Sequence, residues 1–371
     1  ALHRRAPEEL QLALAPFGRY DVTVQGDLVS EGSDWTARYT VDPGEPTRIE
    51  RVDVVVTGEG AADSGFVAIT DSLPFASGDT LRHALYETIK AMLQRQASNH
   101  GYFEAAFDTA QIRVDRPRHA AEVVLHFDTG PRYRFGPITV EQDVLDPRYV
   151  DGYVTARQGE PFDAALLRQA QVDLTTGPWF GRADIKLDTE EAGENLEVPV
   201  QFELTPARPQ RYEVAVGYGT DTGFRGTLGA KFRRINRNAH NAEAELRVSQ
   251  IETSVAGRYN IPRPFPSTSV YSLFGSYGDV SPTWSSTRVG RVGASWSHMR
   301  VPFRETVSLA WEQSSYETAV DTGKATLIGP EIAWTWVETN DRIVATKGHR
   351  LNLKLGGALD GVLSTASYLN A

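Results

Sequence analysis

Arg211-Tyr212-Glu213-Val214-Ala215-Val216-Gly217-Tyr218-Gly219-Thr220-Asp221-Thr222-Gly223 is where one kind of sequence gives way to another. Tyr212, Val214, Val216 and Tyr218 recur at every second position, with Glu213, Ala215, Gly217 and Gly219 between them. A period of two puts the apolar set on one face of a strand and the small and charged set on the other. Upstream, strand-like segments are interrupted by helical patterns. Downstream there is no convincing helix, only further alternation. The stretch reads as the first strand of a β-barrel that follows an α+β region.

Downstream strands are expected near 211–219, 225–235, 241–250, 252–261, 269–278, 287–298, 305–316, 326–338 and 349–358. These lengths approach the ~9–11 residues that a tilted strand needs to cross a bilayer. Several alternate cleanly: Ala242, Ala244, Leu246 and Val248 oppose Glu243, Glu245, Arg247 and Ser249, and Leu351, Leu353 and Leu355 oppose Asn352 and Lys354. Trp296, Trp334 and Trp336 are therefore expected outward, and Glu243, Glu245 and Lys354 inward. Turns are marked by Asp221-Thr222-Gly223, Pro262-Arg263-Pro264, Asp321-Thr322-Gly323 and Lys347-Gly348. Net charge divides at the same boundary, -14 over residues 1–208 and +4 over 209–371. An acidic part with strands and helices thus joins a mildly basic, strand-rich part holding five of the seven tryptophans.

Upstream, two markers recur in the same order. Phe17-Gly18-Arg19-Tyr20-Asp21 returns as His100-Gly101-Tyr102-Phe103-Glu104 and as Phe180-Gly181-Arg182-Ala183-Asp184. Each is followed by a second marker: Val41-Asp42-Pro43-Gly44, Phe127-Asp128-Thr129-Gly130, and Leu204-Thr205-Pro206-Ala207, where the glycine is lost. Such spacing indicates repeated units. The middle unit predicts a strand over Arg51–Thr57, a helix capped by Asp79 with Leu81, Leu85, Ile89, Met92 and Leu93 inward, then strands Tyr102–Val114 and Ala120–Asp128. The third predicts a strand over Tyr133–Glu141, a short helix near Pro147–Ala156, a helix from Asp163 with Leu167, Ala170 and Leu174 inward, and strands Ala183–Leu187 and Leu196–Leu204. The first keeps one helix (Ala6–Leu14) and two strands.

The residues offer little chemistry. Gly217, Gly219 and Gly223 lack the spacing and the following helix of a dinucleotide loop. The eight histidines are scattered, there is no cysteine, and no Gly-x-Ser-x-Gly elbow occurs. Glu243 and Glu245 are better read as a polar barrel interior than as an acid pair. Arg233, Arg234 and Arg237 form a basic cluster that suits a solvated turn better than a phosphate site. The acidic upstream part argues against nucleic-acid binding. The expectation is no enzyme, no cofactor and no metal.

The strand-helices-strand-strand units resemble the POTRA domain. The segment Asn340-Asp341-Arg342-Ile343-Val344-Ala345-Thr346-Lys347-Gly348, with Asp341, Thr346 and Gly348 as its markers, resembles a recurrent barrel motif of the POTRA-plus-barrel superfamily. With Gly217 to Gly223 and Arg211-Tyr212, the resemblance is to its TamA branch. It implies α+β POTRA repeats (β-α-α-β-β) followed by an antiparallel transmembrane β-barrel, here incomplete. The implied layout is a partial first POTRA domain at 1–43, a second at 44–130, a third at 131–207, and the front of a barrel over 208–371. Only nine or ten strands are visible, against about sixteen in a complete barrel of this kind, and the superfamily's Arg-Gly-Tyr/Phe loop motif is missing. The chain is read as cut at both ends, and its sheet should not close. The resemblance further implies an outer-membrane location with the POTRA domains in the periplasm. Its implied partners are the lipid bilayer, unfolded outer-membrane protein clients and a TamB-like inner-membrane-anchored protein. Clients of the autotransporter type would pair with a lateral seam strand, Tyr212-Glu213-Val214-Ala215-Val216-Gly217-Tyr218-Gly219. Alternatives are a BamA-like general insertase, a two-partner secretion pore, or a passive channel with a periplasmic binding arm.

Overall fold

The structure is a computed structural model that describes residues 2–32, 34–220, 223–264, 268–282, 284–339, 346–361 and 363–371. The chain divides into two compact units, one of residues 1–138, 156–167 and 187–200, the other of 139–155, 168–186 and 201–371.

The upstream elements are α1 (Leu2–Leu14), β1 (Thr23–Glu31), β2 (Asp34–Asp42), β3 (Arg48–Thr57), α2 (Ser64–Asp71), α3 (His83–Asn99), β4 (Ala106–Asp115), β5 (Ala120–Asp128), β6 (Arg134–Glu141), α4 (Ala164–Thr176), β7 (Phe180–Leu187) and β8 (Glu197–Pro206). They form a two-stranded sheet β1-β2 and two three-stranded sheets of the same order, β3-β5-β4 and β6-β8-β7. In the middle sheet β5 pairs with β3 in parallel and with β4 antiparallel. Alternation on β5 turns Ala121, Val123, Leu125 and Phe127 onto Phe66 of α2 and Ile89 and Leu93 of α3, all of them buried. Burying each of the larger of these side chains is worth about 1.5–3 kcal/mol, so this stripe anchors the module. On α4, Leu167, Ala170 and Leu174 are buried as expected.

Three expectations need correction. Met92 lies on the exposed flank of its helix, because the inward stripe of α3 runs through Tyr86, Ile89, Leu93 and Ala97 instead. Asp79 does not cap α3, which begins four residues later at His83. The intervening Leu81 is held extended, its N–H donating to Thr47 O at 2.9 Å. Asp79 instead accepts from Ala76 N–H at 2.8 Å, and it is Asp63 that caps a helix, accepting from Gly65 N–H at 2.8 Å at the start of α2. The short helix near Pro147–Ala156 is two single 3-10 turns, Pro147–Tyr149 and Asp151–Tyr153.

Downstream lie β9 (Gln210–Gly219), β10 (Gly223–Phe232), β11 (Asn241–Ser249), β12 (Glu252–Pro262), β13 (Ser269–Val280), β14 (Ser285–Arg300), β15 (Phe303–Thr318), β16 (Thr322–Thr339), β17 (Gly348–Ala358) and β18 (Tyr368–Asn370). They form one antiparallel meander in chain order, from β9 at one edge to β18 at the other. All nine expected strands are present, while the short β18 adds three residues where no strand was placed. Among the described residues β9 and β18 do not pair, so the sheet is open, as expected for a pattern that resembles the front of a wider barrel.

Candidate functional site: a free edge, a charged wall and built joints

Among the described residues β9 is hydrogen-bonded to β10 alone, in a register that sets Gly219 against Gly223 and Gln210 against Phe232. Its outward side chains are bare: Val214 is 76% and Val216 87% exposed. No water-soluble sheet profits from such a face, but one immersed in lipid does. Gly217 faces the opposite way, where the Arg225 side chain lies across it and would come within 3.1 Å of an added Cβ. That glycine therefore makes room for an arginine. Of the motif before β17, Gly348 opens the strand opposite Thr339, Thr346 lies in the bend ahead of it, and Asp341 falls outside the described residues.

The inward face carries a stripe of charge that crosses the strands. Glu213 of β9 lies 3.5 Å from Lys231 of β10, which sits opposite Glu243 of β11. Glu243 faces Arg258 of β12 at 3.9 Å. Arg258 and Arg291 of β14 both approach the Phe274 ring of β13, at 5.5 and 5.7 Å. Arg291 then meets Glu331 of β16 at 3.8 Å, and Glu331 meets Lys354 of β17 at 2.8 Å. Glu213, Glu243, Glu245, Arg258, Arg291 and Glu331 line one concavity of about 580 Å³. Alternation along the strand was enough to place Glu243, Glu245 and Lys354 on this face. Which cation meets which carboxylate depends on inter-strand register, so the sequence alone does not single out Lys231, Arg258, Arg291 and Glu331.

The outward face bears a ring of aromatics near the end at which the chain enters the sheet. Tyr212, Phe232, Tyr259, Tyr271, Trp296, Phe303, Trp334 and Trp336 each lie on the side opposite the charged stripe. Trp296 stacks on His298 with ring centres 5.8 Å apart, and Trp334 Nε1 donates to Glu305 Oε1 at 3.1 Å. Indoles that combine apolar contact with a polar partner suit a membrane boundary.

Upstream, the repeated markers turn out to be joints. Thr47 N–H donates to Gly18 O at 2.8 Å, and Tyr133 N–H donates to Gly101 O at 2.8 Å. Both glycines are left-handed, with φ of 75° and 82°, and an added Cβ would lie 2.6 Å from Leu81 O and 2.7 Å from Phe162 Cβ. The correspondence continues beside them. Arg48 and Arg134 N–H donate to His119 O and Leu196 O, each at 2.8 Å, and both acceptors have positive φ. The polar fillings differ. In the first joint Tyr20 Oη meets His83 Nε2 at 2.7 Å; in the second Tyr133 Oη donates to Glu104 at 2.6 Å while Phe103 packs on Phe162. That hydrogen bond, with burial, holds the Tyr133 phenol above its ordinary pKa. The third copy makes no such joint: Gly181 sits inside β7 without a left-handed φ.

Residues 1–43 match the family described as POTRA domain, TamA domain 1. Over the longer range the chain resembles a crystal structure of BamA from Haemophilus ducreyi lacking POTRA domains 1–3, with a TM-score of 0.67 at 13% identity, covering 85% of this chain and 64% of that one. That likeness is one of fold. Weaker likenesses are to CdiB from Acinetobacter baumannii (TM-score 0.41, 11% identity, 84% of this chain and 61% of that one) and to BamA POTRA3-5 from Haemophilus influenzae (0.36, 15%, 53% and 79%). The chain spans under two thirds of the length of the H. ducreyi and A. baumannii structures. The ten-stranded meander thus resembles part of the H. ducreyi structure in fold, and the module matched by the POTRA model meets the next one at Gly18.

Proposed function

We propose that the chain belongs to an outer-membrane factor that inserts or translocates other proteins, with its POTRA units in the periplasm and with barrel-type clients, autotransporters among them. The observation that carries this reading is the position and face of β9: it is the first strand of the sheet, and its outward face of Val214, Val216 and Tyr218 is apolar and exposed. Where such a strand parts from its neighbour, its N–H and C=O groups lose their partners. Unpaired backbone groups cost several kcal/mol each in hydrocarbon, by order of magnitude. A client strand that adds to this edge satisfies both partners. In a completed barrel the same edge, Tyr212 to Gly219, would be the seam against the final strand, and few hydrogen bonds there would let it open sideways. A TamB-like protein meeting the POTRA units is the partner this reading adds, on the family match of the first module.

The test is a cysteine at Ala215 with a second on the facing terminal strand of the full-length protein. Oxidation should block client assembly and reduction should restore it. A locked barrel that still assembles clients at the normal rate would remove the seam from the mechanism. The charged concavity also suits a passive pore, and a steady large single-channel conductance would favour that second reading.

A further inference from the structure

We propose that the end of the ten-stranded sheet at which the chain enters is a binding surface for anionic phospholipid headgroups. The proposal rests on the reading that this sheet crosses a bilayer. The antiparallel meander sorts the connections into two sets. The described residues of the chain-entry connections, 233–240, 263–264, 268, 301–302 and 346–347, hold five Lys or Arg and no acidic residue. Those of the far-side connections, 220, 250–251, 281–282, 284, 319–321, 359–361 and 363–367, hold no Lys or Arg and two Asp. Alternation along strands says nothing about this division; it follows from which turns share an end.

The second observation is how these cations are partnered. On the inner wall Lys231, Arg258, Arg291 and Lys354 each have a carboxylate within 4 Å. At the rim Arg237, Arg263 and Arg300 are exposed, and among the described residues none of them has an ion-pair partner. Carboxylates are not scarce in a chain of net charge -10. The acceptors for these guanidinium groups are therefore expected from outside the chain.

The third observation selects lipid. Exposed apolar side chains interleave with the arginines: Ile235 two residues before Arg237, and Val301 next to Arg300. Trp296 stands four residues before Arg300 on the outward face. An arginine whose stem lies along apolar surface and whose head reaches past an aromatic ring sits at phosphate depth. The planar guanidinium fork matches a phosphodiester's paired oxygens. An acidic protein surface would meet the charge but gives no use for the exposed Ile235 and Val301.

The experiment uses the full-length protein in phosphatidylcholine bilayers doped with brominated phosphatidylglycerol or, at equal fraction, brominated phosphatidylcholine, with tryptophan emission as readout. At low salt the anionic lipid should be enriched about fivefold at the protein over the zwitterionic one. The preference should fall towards unity near about 1 M salt, where screening acts over ~3 Å. Replacing Arg237, Arg263 and Arg300 together by Gln should bring the ratio near one while quenching by phosphatidylcholine stays unchanged; replacing them by Lys should keep most of the preference. Equal quenching by the two lipids in the unaltered protein overturns the proposal and leaves the membrane reading standing. Absence of quenching by either overturns both. A ratio that survives the triple Gln change overturns the assignment to these arginines, as would occur if the rim faced protein.

Discussion

Gly101 and Gly181 occupy the same place in the repeat and do different things. Gly101 is left-handed and pressed against Phe162; Gly181 has ordinary strand geometry and nothing nearer to its missing Cβ than Ala207 Cα at 3.8 Å. Gly101→Ala should cost about 1–3 kcal/mol, whereas Gly181→Ala should be neutral or stabilising by up to ~1 kcal/mol. Thermal or denaturant melts of the two variants measure the contrast. Tyr133 supplies a pH test at the same joint. Its hydrogen bond to Glu104 raises the phenol's folded pKa, so the contribution is complete below the unfolded value near 10 and is lost as pH climbs through the higher folded value. Tyr133→Phe should therefore be less stable than the native chain by about 1–2 kcal/mol at neutral pH, and the gap should close above about pH 10. A gap that widens in alkali would mean the bond is not the cause.

At the scale of elements, the strands are legible because alternation is a local property. Glu243 and Glu245 point inward because they are two residues apart on one strand. The charged stripe is not local, since Lys231 finds Glu213 and Glu243 only through the register of three strands. Each such pair is worth about 0.2–1 kcal/mol, so Lys231→Glu should destabilise the sheet by roughly 1–2 kcal/mol through like charges on both sides. Glu243→Lys in the same molecule should recover part of the loss, and a double-mutant cycle on the heat stability of the folded sheet reads the coupling. The misplaced cap at Asp79 has a related origin. Asp79 suits an N-cap by type, but a bridge between Thr80 and Arg48 keeps the next residues extended and delays α3 to His83.

For the molecule as a whole, the deciding question is which solvent the outward face meets. Val216 is 87% exposed, so in water its replacement by Arg would be nearly neutral or favourable. In a bilayer the same change should cost about 2–4 kcal/mol near the midplane. Folding yield and heat stability of Val216→Arg in lipid, set against Glu213→Arg on the inward face, separate the two environments. A Val216→Arg protein that folds into bilayers as well as the native chain would remove the lipid-facing assignment.

Read alone, the residues determined the boundary near Arg211, the repeated units before it, the strands after it and the two faces of each. All of these follow from periodicity or from local markers, and need only the geometry of one strand or one helix. Tertiary structure alone decided that two of the repeated glycines are joints, that the inward charges form one stripe across β9 to β17, and that the basic connections share one end of the sheet. Each depends on distant residues brought side by side. A strand's own sequence sets which way its side chains point, but its neighbours and their register set what those side chains meet.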